Sequence, residues 1–480
     1  ASGDGSTISG GLVQVASGTY STISGGTTNE ASGDGSAISG GINNIAVGNR
    51  SVIGGGNNNR SAGLRASVGG GLGNLAGGQD STIGGGNQNQ ASVQFATVGG
   101  GFSHTASGLS STISGGNTNE ASGSGSAIGG GSGHTASGVQ STIGGGASNT
   151  TSADFTTISG GTGNTASGVQ STIGGGTTNE ASGQNTFIGG GTQHEASGLA
   201  STIGGGTGNI ASIYASTVSG GSSNEAIDQF ATVSGGSSNT ASAVQTFVGG
   251  GGNNTASAIG STVSGGQGNT ASAINSTVGA GAGNQATEVF ATIGGGSTNA
   301  ASGQGSSIGG GTGNISDYAD STIGGGNTNK ASGYNYGKST VGGGYGNTAS
   351  ADYSTVSGGT GNTASGNESS TIGGGNTNNA SGNSTTISGG LNNIASGNGS
   401  SVSGGYQNTA SGGASSIGGG ASNYATYSGS TVGGGYGNQS SGGSSTISGG
   451  TGNTASGTYF PTIGGGQGNT ASANGTTVSG

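Results

Sequence analysis

The chain has 480 residues, of which 126 are glycine, and it contains one proline and no cysteine, methionine or tryptophan. Without cysteine, a disulfide framework and a thiolate metal site are excluded. The five Lys and Arg residues against fifteen Asp and Glu give a net charge of −10, so no basic stripe exists to bind nucleic acid or an anionic membrane surface. No apolar run approaches the roughly 20 residues that a membrane span needs.

One fifteen-residue phrase, ASGVQSTIGGGASNT at 136–150, recurs with small changes along the whole sequence. Ile or Val returns every fifteen residues from Ile8 to Ile323 and then, with three short irregularities, to Val478. A fixed period this short is typical of a solenoid, in which each coil stacks on the next. The pattern predicts an all-β parallel β-solenoid of about 32 coils. We expect one continuous domain over 1–480 that is a segment of a longer fibre protein.

Two short strands are predicted in each coil, which we number from its Ile or Val as position 0. The first is Ser-Thr-Ile, as at 141–143, and the second is Asn-x-Ala, as at 164–166. Because side chains alternate along a strand, Ile and Ser face the inside from one strand, and Asn and Ala face it from the other. The predicted core residues include Ile143, Ile173, Ala136, Ala166, Asn149 and Asn164.

The turns are rich in glycine and asparagine. Position 3 is always Gly and position 2 is Gly except at Ala280, which predicts positive φ or close backbone approach at both positions. Position 6 is Asn except at Gln14, His104, His134 and His194. Stacked amides can hydrogen-bond along the solenoid, as in asparagine ladders. The three histidines are therefore interpreted as structural substitutes for Asn, with a ligand or catalytic base as the alternative.

Extra residues enter the repeat at three places, and each lies between the Ala strand and the next Ile/Val strand. Three residues are added between Ala331 and Val341, and one is added in each of 364–372 and 455–463. One chemically rich patch surrounds the first insertion: Asp317, Tyr318, Asp320, Lys330, Tyr334, Tyr336, Lys338 and Tyr345. It is either a tolerant loop or a binding site, and the candidate binding residues are Tyr334, Tyr336 and Lys338.

Familiar chemistries find little support in the sequence. The phrase Gly-Gly-x-Gly-Asn is similar to calcium-binding nonapeptide repeats, but the period is fifteen and Asn replaces the carboxylate. Histidine occurs at one structural position only, so no Ser/His/acid triad can be proposed. Glu180 and Glu195 lie on neighbouring coils, but paired-carboxylate catalysis is not expected there, because both carboxylates would be solvated on a flat face. We expect a non-enzyme with no catalytic residue, metal or cofactor.

The recurring A-S-G-x-x-S-T-I-G-G-G resembles the head repeats of trimeric autotransporter adhesins, the YadA-like head family. The resemblance covers the whole chain. It implies a left-handed parallel β-roll, assembled as a homotrimer and displayed outside a bacterial cell.

From these features we expect an extracellular, surface-displayed structural fibre or adhesin that makes multivalent contacts, with a host or matrix surface as its partner. Self-association as a homotrimer or filament would bury exposed apolar residues at position 4, such as Leu72, Phe102 and Leu391. Nucleic acid and membrane insertion are not expected.

Two alternatives stay open. One is a self-assembling extracellular filament subunit. The other is an ice-binding solenoid, because the second strand points Thr and Ser outward. Its position-7 column is interrupted by several charged or bulky residues, which argues against a regular ice-matching plane: Glu30, Ile45, Arg60, Leu75, Lys330 and Tyr424.

Overall fold

The computed structural model describes residues 1–480 and contains strands and turns but no helix. The predicted all-β parallel solenoid is confirmed, with about 31 turns where 32 coils were expected. Two compact units, Ala1–Ser238 and Asn239–Gly480, are distinguished, and both are built from coils of the same design. One continuous domain over the chain stays a prediction.

The strands of the first unit fall into two columns. Each strand is two residues long. Strands of the Ile/Val column end at the Ile or Val of position 0, and strands of the Ala column end at the small residue of position 8. The Ile/Val column begins at Thr7–Ile8 and recurs every fifteen residues to Thr232–Val233. The Ala column begins at Val15–Ala16 and recurs at the same interval to Glu225–Ala226.

The second unit repeats both columns with three changes of spacing. Its Ile/Val strands are Phe247–Val248 and every fifteenth residue to Thr322–Ile323, then Thr340–Val341, Thr355–Val356, Thr371–Ile372 and every fifteenth residue to Thr446–Ile447, then Thr462–Ile463 and Thr477–Val478. Its Ala strands are Thr240–Ala241 and every fifteenth residue to Lys330–Ala331, then Thr348–Ala349, Thr363–Ala364, Asn379–Ala380 and every fifteenth residue to Thr454–Ala455, then Thr470–Ala471.

Within each unit, strands of one column pair in parallel and in register. Thr142 pairs with Thr157 and Ile143 with Ile158, so identical positions stack on each other. The N–H of Thr142 donates to the carbonyl of Thr156 at 2.9 Å. Backbone hydrogen bonds of this kind join each coil to the next at several positions. They hold the coils together where the small core side chains alone would not.

The core lies between the two columns and is thin. Ile143 and Ala136 are fully buried. Thr142, which lies between the inward-facing Ser141 and Ile143, is exposed. Ile173, Ala166, Asn149 and Asn164 are likewise fully buried. The alternation of side chains along a strand thus sets which residues meet inside, as the sequence pattern implies.

Close backbone approach requires glycine at position 3 but not at position 2. Gly161 adopts φ +92°, and a Cβ there would overlap the carbonyl oxygen of Gly176 in the next coil. At Gly145, a position-2 residue, a Cβ would meet nothing within 4 Å. The expected close approach is therefore wrong for position 2, and Ala280 is accommodated there because that side of the turn is open. The expected positive φ is found at position 2 in some coils, as at Gly175 with φ +156°.

Two further turn positions, 5 and 12, adopt left-handed backbone with residues other than glycine. Phe155, at position 12, has φ 60°, and its N–H donates to the carbonyl of Val139 in the preceding coil at 2.8 Å. Ser148, at position 5, has φ 52° and donates to Ser132 at 2.8 Å. Left-handed backbone at non-glycine residues is uncommon, and here it turns each N–H towards a partner in the previous coil.

The insertions leave both columns intact, as expected of loops in a solenoid. Across the three-residue insertion, Ile323 still pairs with Val341 and Ala331 with Ala349. The extra residues project from the edge between the Ala strand and the following Ile/Val strand. This edge carries the candidate functional site.

Candidate functional site

The first wall of the site is the loop at 332–339, and a buried carboxylate organises it. Asp352, in the next coil, is only 5% exposed. Its carboxylate accepts hydrogen bonds from the N–H groups of Tyr334 at 2.7 Å, Asn335 at 3.0 Å and Gly337 at 3.0 Å. A carboxylate that receives three backbone N–H groups fixes the path of the inserted segment.

The ionisation of Asp352 reflects the same contacts. Burial alone would raise the pKa of its carboxyl group, but the three hydrogen-bonded N–H groups, together with the nearby N–H of Tyr336, favour the ionised form and hold the pKa below its ordinary value. The loop is therefore held by a negative charge at neutral pH.

The tyrosines of this loop are presented to solvent. Tyr334 is 79% exposed and Tyr336 is 70% exposed. The hydroxyl of Tyr318 donates to the carbonyl of Tyr334 at 2.6 Å. This bond holds the backbone of Tyr334 in place. Nζ of Lys338 lies 6.0 Å from the ring centroid of Tyr353.

The second wall is the loop that carries the one-residue insertion in 364–372. Asn367, Glu368 and Ser369 face Tyr334 and Tyr336 across a groove of about 630 Å³, and the turn at 350–353 forms its floor. We call this the insertion groove. It forms because the two insertions lie on the same edge of coils that are separated by one uninterrupted turn.

The structure brings together only part of the predicted patch. Tyr334 and Tyr336 line the insertion groove, whereas Lys338 does not. Lys330 and Asp317 form an ion pair at 3.1 Å. Including Tyr345 in the patch is wrong, because its backbone bridges Asn327 and Thr360 in the position-4 column, away from the inserted loop.

Sequence reasoning missed Asp352, Tyr353 and Glu368. Asp352 and Glu368 occupy turn positions where most coils carry unrelated polar or apolar residues, so neither is conspicuous alone. The available signal was the spacing of the two insertions, which places their loops at the same edge with only 350–353 between them.

The three histidines take the place of asparagine in the buried ladder. His104 is fully buried. Its backbone N–H donates to Oδ1 of Asn89 at 3.0 Å, and its ring Nδ1 accepts the backbone N–H of Asn119 at 3.1 Å. An accepting Nδ1 requires the neutral ring with its proton on Nε2. His134 and His194 make the corresponding contacts with Asn149 and Asn209.

Glu180 and Glu195 occupy paired positions on neighbouring strands. Glu195 also accepts a hydrogen bond from the hydroxyl of Ser197 at 3.1 Å. Across residues 1–480, no group of three or more His, Cys, Asp or Glu side chains is arranged to hold a metal ion. The chain also has no helix that could cross a lipid bilayer.

Comparison with known proteins matches the chain to no protein-family model, and no curated protein shows significant sequence similarity to it.

Changing all three histidines to asparagine should make the first unit less sensitive to acid. Burial lowers the pKa of His104, His134 and His194, so below the ordinary value of about 6.5 the unfolded chain binds protons that the folded chain does not. Folding stability is then lost as the pH falls below about 6.5, by up to about 1.4 kcal/mol per histidine and pH unit.

Amide hydrogen exchange in the coils around each histidine, followed between pH 8 and pH 5, measures this effect locally. We expect the protection of the native chain to fall relative to the triple variant as the pH drops. Parallel pH profiles for the two proteins would show that these rings do not titrate on unfolding.

Replacing Asp352 with alanine should release the inserted loop without unfolding the coils beneath it. Three backbone N–H groups lose their acceptor, each at a cost of about 1–3 kcal/mol where water cannot replace it. We expect faster amide exchange at Tyr334, Asn335 and Gly337 and unchanged exchange at Val356.

Asp320→Ala is the matched control, because it removes the same charge from an exposed carboxylate in the same region. Since the pKa of Asp352 is lowered, native loop protection should persist below the ordinary carboxyl pKa of about 3.9 and be lost only as the pH falls through the lower folded value. Equal exchange in both variants would contradict the role assigned to Asp352.

Proposed function

We propose that the chain is an extracellular structural fibre or adhesin, displayed on a cell surface, that makes multivalent contacts with a host or matrix surface. The observation that carries this proposal is the repetition of outward positions on a framework that is hydrogen-bonded internally. Position 7 accepts Glu180, Lys330 and Tyr424 without a change of strand register. Many weak contacts along such a surface combine into useful avidity.

Self-association as a homotrimer or filament is part of this proposal. At position 4, Leu72 is 42% exposed, Phe102 is 43% exposed and Leu391 is 38% exposed. Lateral contact between copies would bury these side chains. Because only about two fifths of each is exposed, each would gain about 1 kcal/mol, a fraction of the roughly 1.5–3 kcal/mol for burial from full exposure. A native mass of one chain at micromolar concentration, with the protein folded, would overturn self-association.

Electron microscopy of the native source, with antibodies to the chain, tests the cellular role. Labelled fibres that project from cells are the expected result. Continuous end-to-end polymers free of cells would instead favour a filament subunit. Beads coated with the full chain should adhere to matrix-coated surfaces, and adhesion should rise steeply with the number of chains per bead. A linear dependence would argue against multivalent contact.

A second candidate, ice binding, is favoured by a column that sequence reasoning did not consider for this role. Position 14, in the Ile/Val strand, is Thr or Ser in all fifteen coils from Thr262 to Thr477, and none of these side chains is buried. Such a column is more regular than the interrupted position-7 column. It places hydroxyl groups at the strand spacing of about 4.8 Å.

Inhibition of ice recrystallisation by the full chain tests this candidate. Thr371→Phe and Thr431→Phe should abolish the inhibition and preserve the fold, because Phe187 and Phe247 already occupy position 14 in paired strands. Thr409→Tyr, on the Ala column, is the control with a bulky substitution elsewhere. If ice grows in the presence of the native chain as it does in buffer, this candidate is excluded.

A further inference from the structure

We infer that the insertion groove binds a short uncharged oligosaccharide. This inference rests on the proposed adhesive function and assigns one local ligand site to it. The groove has a volume of about 630 Å³, within the range of about 300–1,000 Å³ typical of small-molecule sites. In the columns, ligand contacts would be spread over equivalent coils. Here they converge on one place.

The groove is built before any ligand arrives, because one residue ties both of its walls. The carboxylate of Asp352 holds the loop at 332–339 through three backbone N–H groups. The backbone carbonyl of Asp352 accepts the N–H of Ser369, in the opposite wall, at 3.1 Å. A site whose walls are already ordered loses less conformational entropy when it binds.

The lining combines aromatic rings with neutral polar groups. Tyr334, Tyr336 and Tyr353 supply the rings, and Asn335 and Asn367 supply amides that can both donate and accept. Rings of this kind pack against the apolar C–H face of a pyranose, while amides and hydroxyls pair with its hydroxyl groups. A sugar needs both kinds of contact on one surface.

Anionic ligands do not suit the groove. No Lys, Arg or His lines it, whereas Asp352 and Glu368 do. Lys338 lies 6.0 Å from the ring centroid of Tyr353 but is not among the lining residues. A phosphate, sulfate or sialic acid would therefore meet the carboxylate of Glu368 with no cation in the lining to compensate it.

Cationic ligands are also disfavoured. The carboxylate of Asp352 is already committed to backbone N–H groups. The ring of Tyr353 already faces the ammonium group of Lys338, and the three groove tyrosines make no ring–ring contact with one another. A quaternary ammonium group would therefore not find all three ring faces free to enclose it. Separated rings instead suit an extended ligand that crosses from one to the next.

The test is binding of the full chain to a printed array of neutral, sialylated and amino-sugar glycans, followed by titration of the soluble glycans. We expect binding to neutral glycans and a loss of affinity of at least about tenfold for each of Tyr334→Ala and Tyr336→Ala. Both residues are largely exposed, so the fold should tolerate these changes. Tyr345→Ala, an exposed tyrosine outside the groove, is the matched control and should bind as the native chain does.

Three results would overturn the inference: no glycan binding, equal loss in the Tyr345→Ala control, or binding confined to amino sugars and abolished by Glu368→Gln. Bead adhesion distinguishes this failure from failure of the proposed function. If coated beads adhere to matrix while soluble neutral glycans do not bind, the groove inference fails and the fibre function stands. If soluble glycans bind through the groove while beads never adhere, the fibre function fails and the groove assignment stands.

Discussion

Gly161→Ala is expected to separate the coils on either side of it and to reduce the local free energy of unfolding by at least about 4 kcal/mol. The new Cβ would overlap the carbonyl oxygen of Gly176, which is backbone and cannot move aside as a flexible side chain can. A φ of +92° adds strain for any residue with a side chain. Because each coil packs only against its two neighbours, we expect the loss of stability to extend to the coils on both sides of Gly161.

Gly145→Ala, in an adjacent coil, is the matched control for this change. Its Cβ would meet no atom within 4 Å, so we expect a change within about 1 kcal/mol. Amide hydrogen exchange over 141–180 reports both variants in the same coils, and this is preferable to a single melting temperature for a repeat protein. If both alanines have the same effect, close backbone approach is not the reason that position 3 is always glycine.

Asn164→Ala should be nearly as damaging, at about 3–5 kcal/mol, because several buried groups lose their partners together. Nδ2 of Asn164 donates to the carbonyls of Gly160 at 3.1 Å and Gly176 at 3.0 Å. Its Oδ1 accepts the N–H of Asn179 at 3.0 Å. Alanine leaves all three of these backbone groups without the partner that the amide supplied.

Asn164→His is the informative comparison, because the chain itself places histidine at this position in three coils. At pH 8 we expect a loss of about 1–2 kcal/mol, since an imidazole Nδ1 can replace the accepting oxygen while the bonds to the two glycine carbonyls are lost. The loss should grow below about pH 6.5 as the unfolded ring takes up a proton. Amide exchange at Asn179 measures the bond directly, and equal protection in the alanine and histidine variants would refute the ladder as the source of stability.

The solenoid could be predicted because its physical requirements repeat in every coil. A buried Ile or Val at position 0, a small residue at position 8 and a bonded Asn at position 6 each leave an uninterrupted column in the sequence. Ser316 shows why position 8 admits a few hydroxyls, since its Oγ reaches the carbonyl of Ser321 at 2.9 Å. Close approach at position 2 was wrongly expected because glycine is frequent there, although a Cβ at Gly145 would meet no neighbouring atom.

The candidate site was only partly predictable because it depends on residues that do not repeat. Tyr334 and Tyr336 were identified from their place in an insertion. Asp352 was not, because its importance comes from three N–H groups that the insertion presents to it in space. Position 14 differs from the site residues, because its column of Thr and Ser is regular in the sequence itself. Its exposure on the outward side of the first strand is what makes it a candidate surface.

The edge that carries the insertions also makes the proposed binding surface modular. Since extra residues there leave strand register unchanged, loops can be gained, lost or exchanged at any coil without repacking the core. Duplication of a single coil between two loops would move them apart by one strand spacing, about 4.8 Å, and deletion would bring them together by the same amount. The width of a groove on this edge can thus change in fixed steps during evolution, through copying errors between nearly identical repeats.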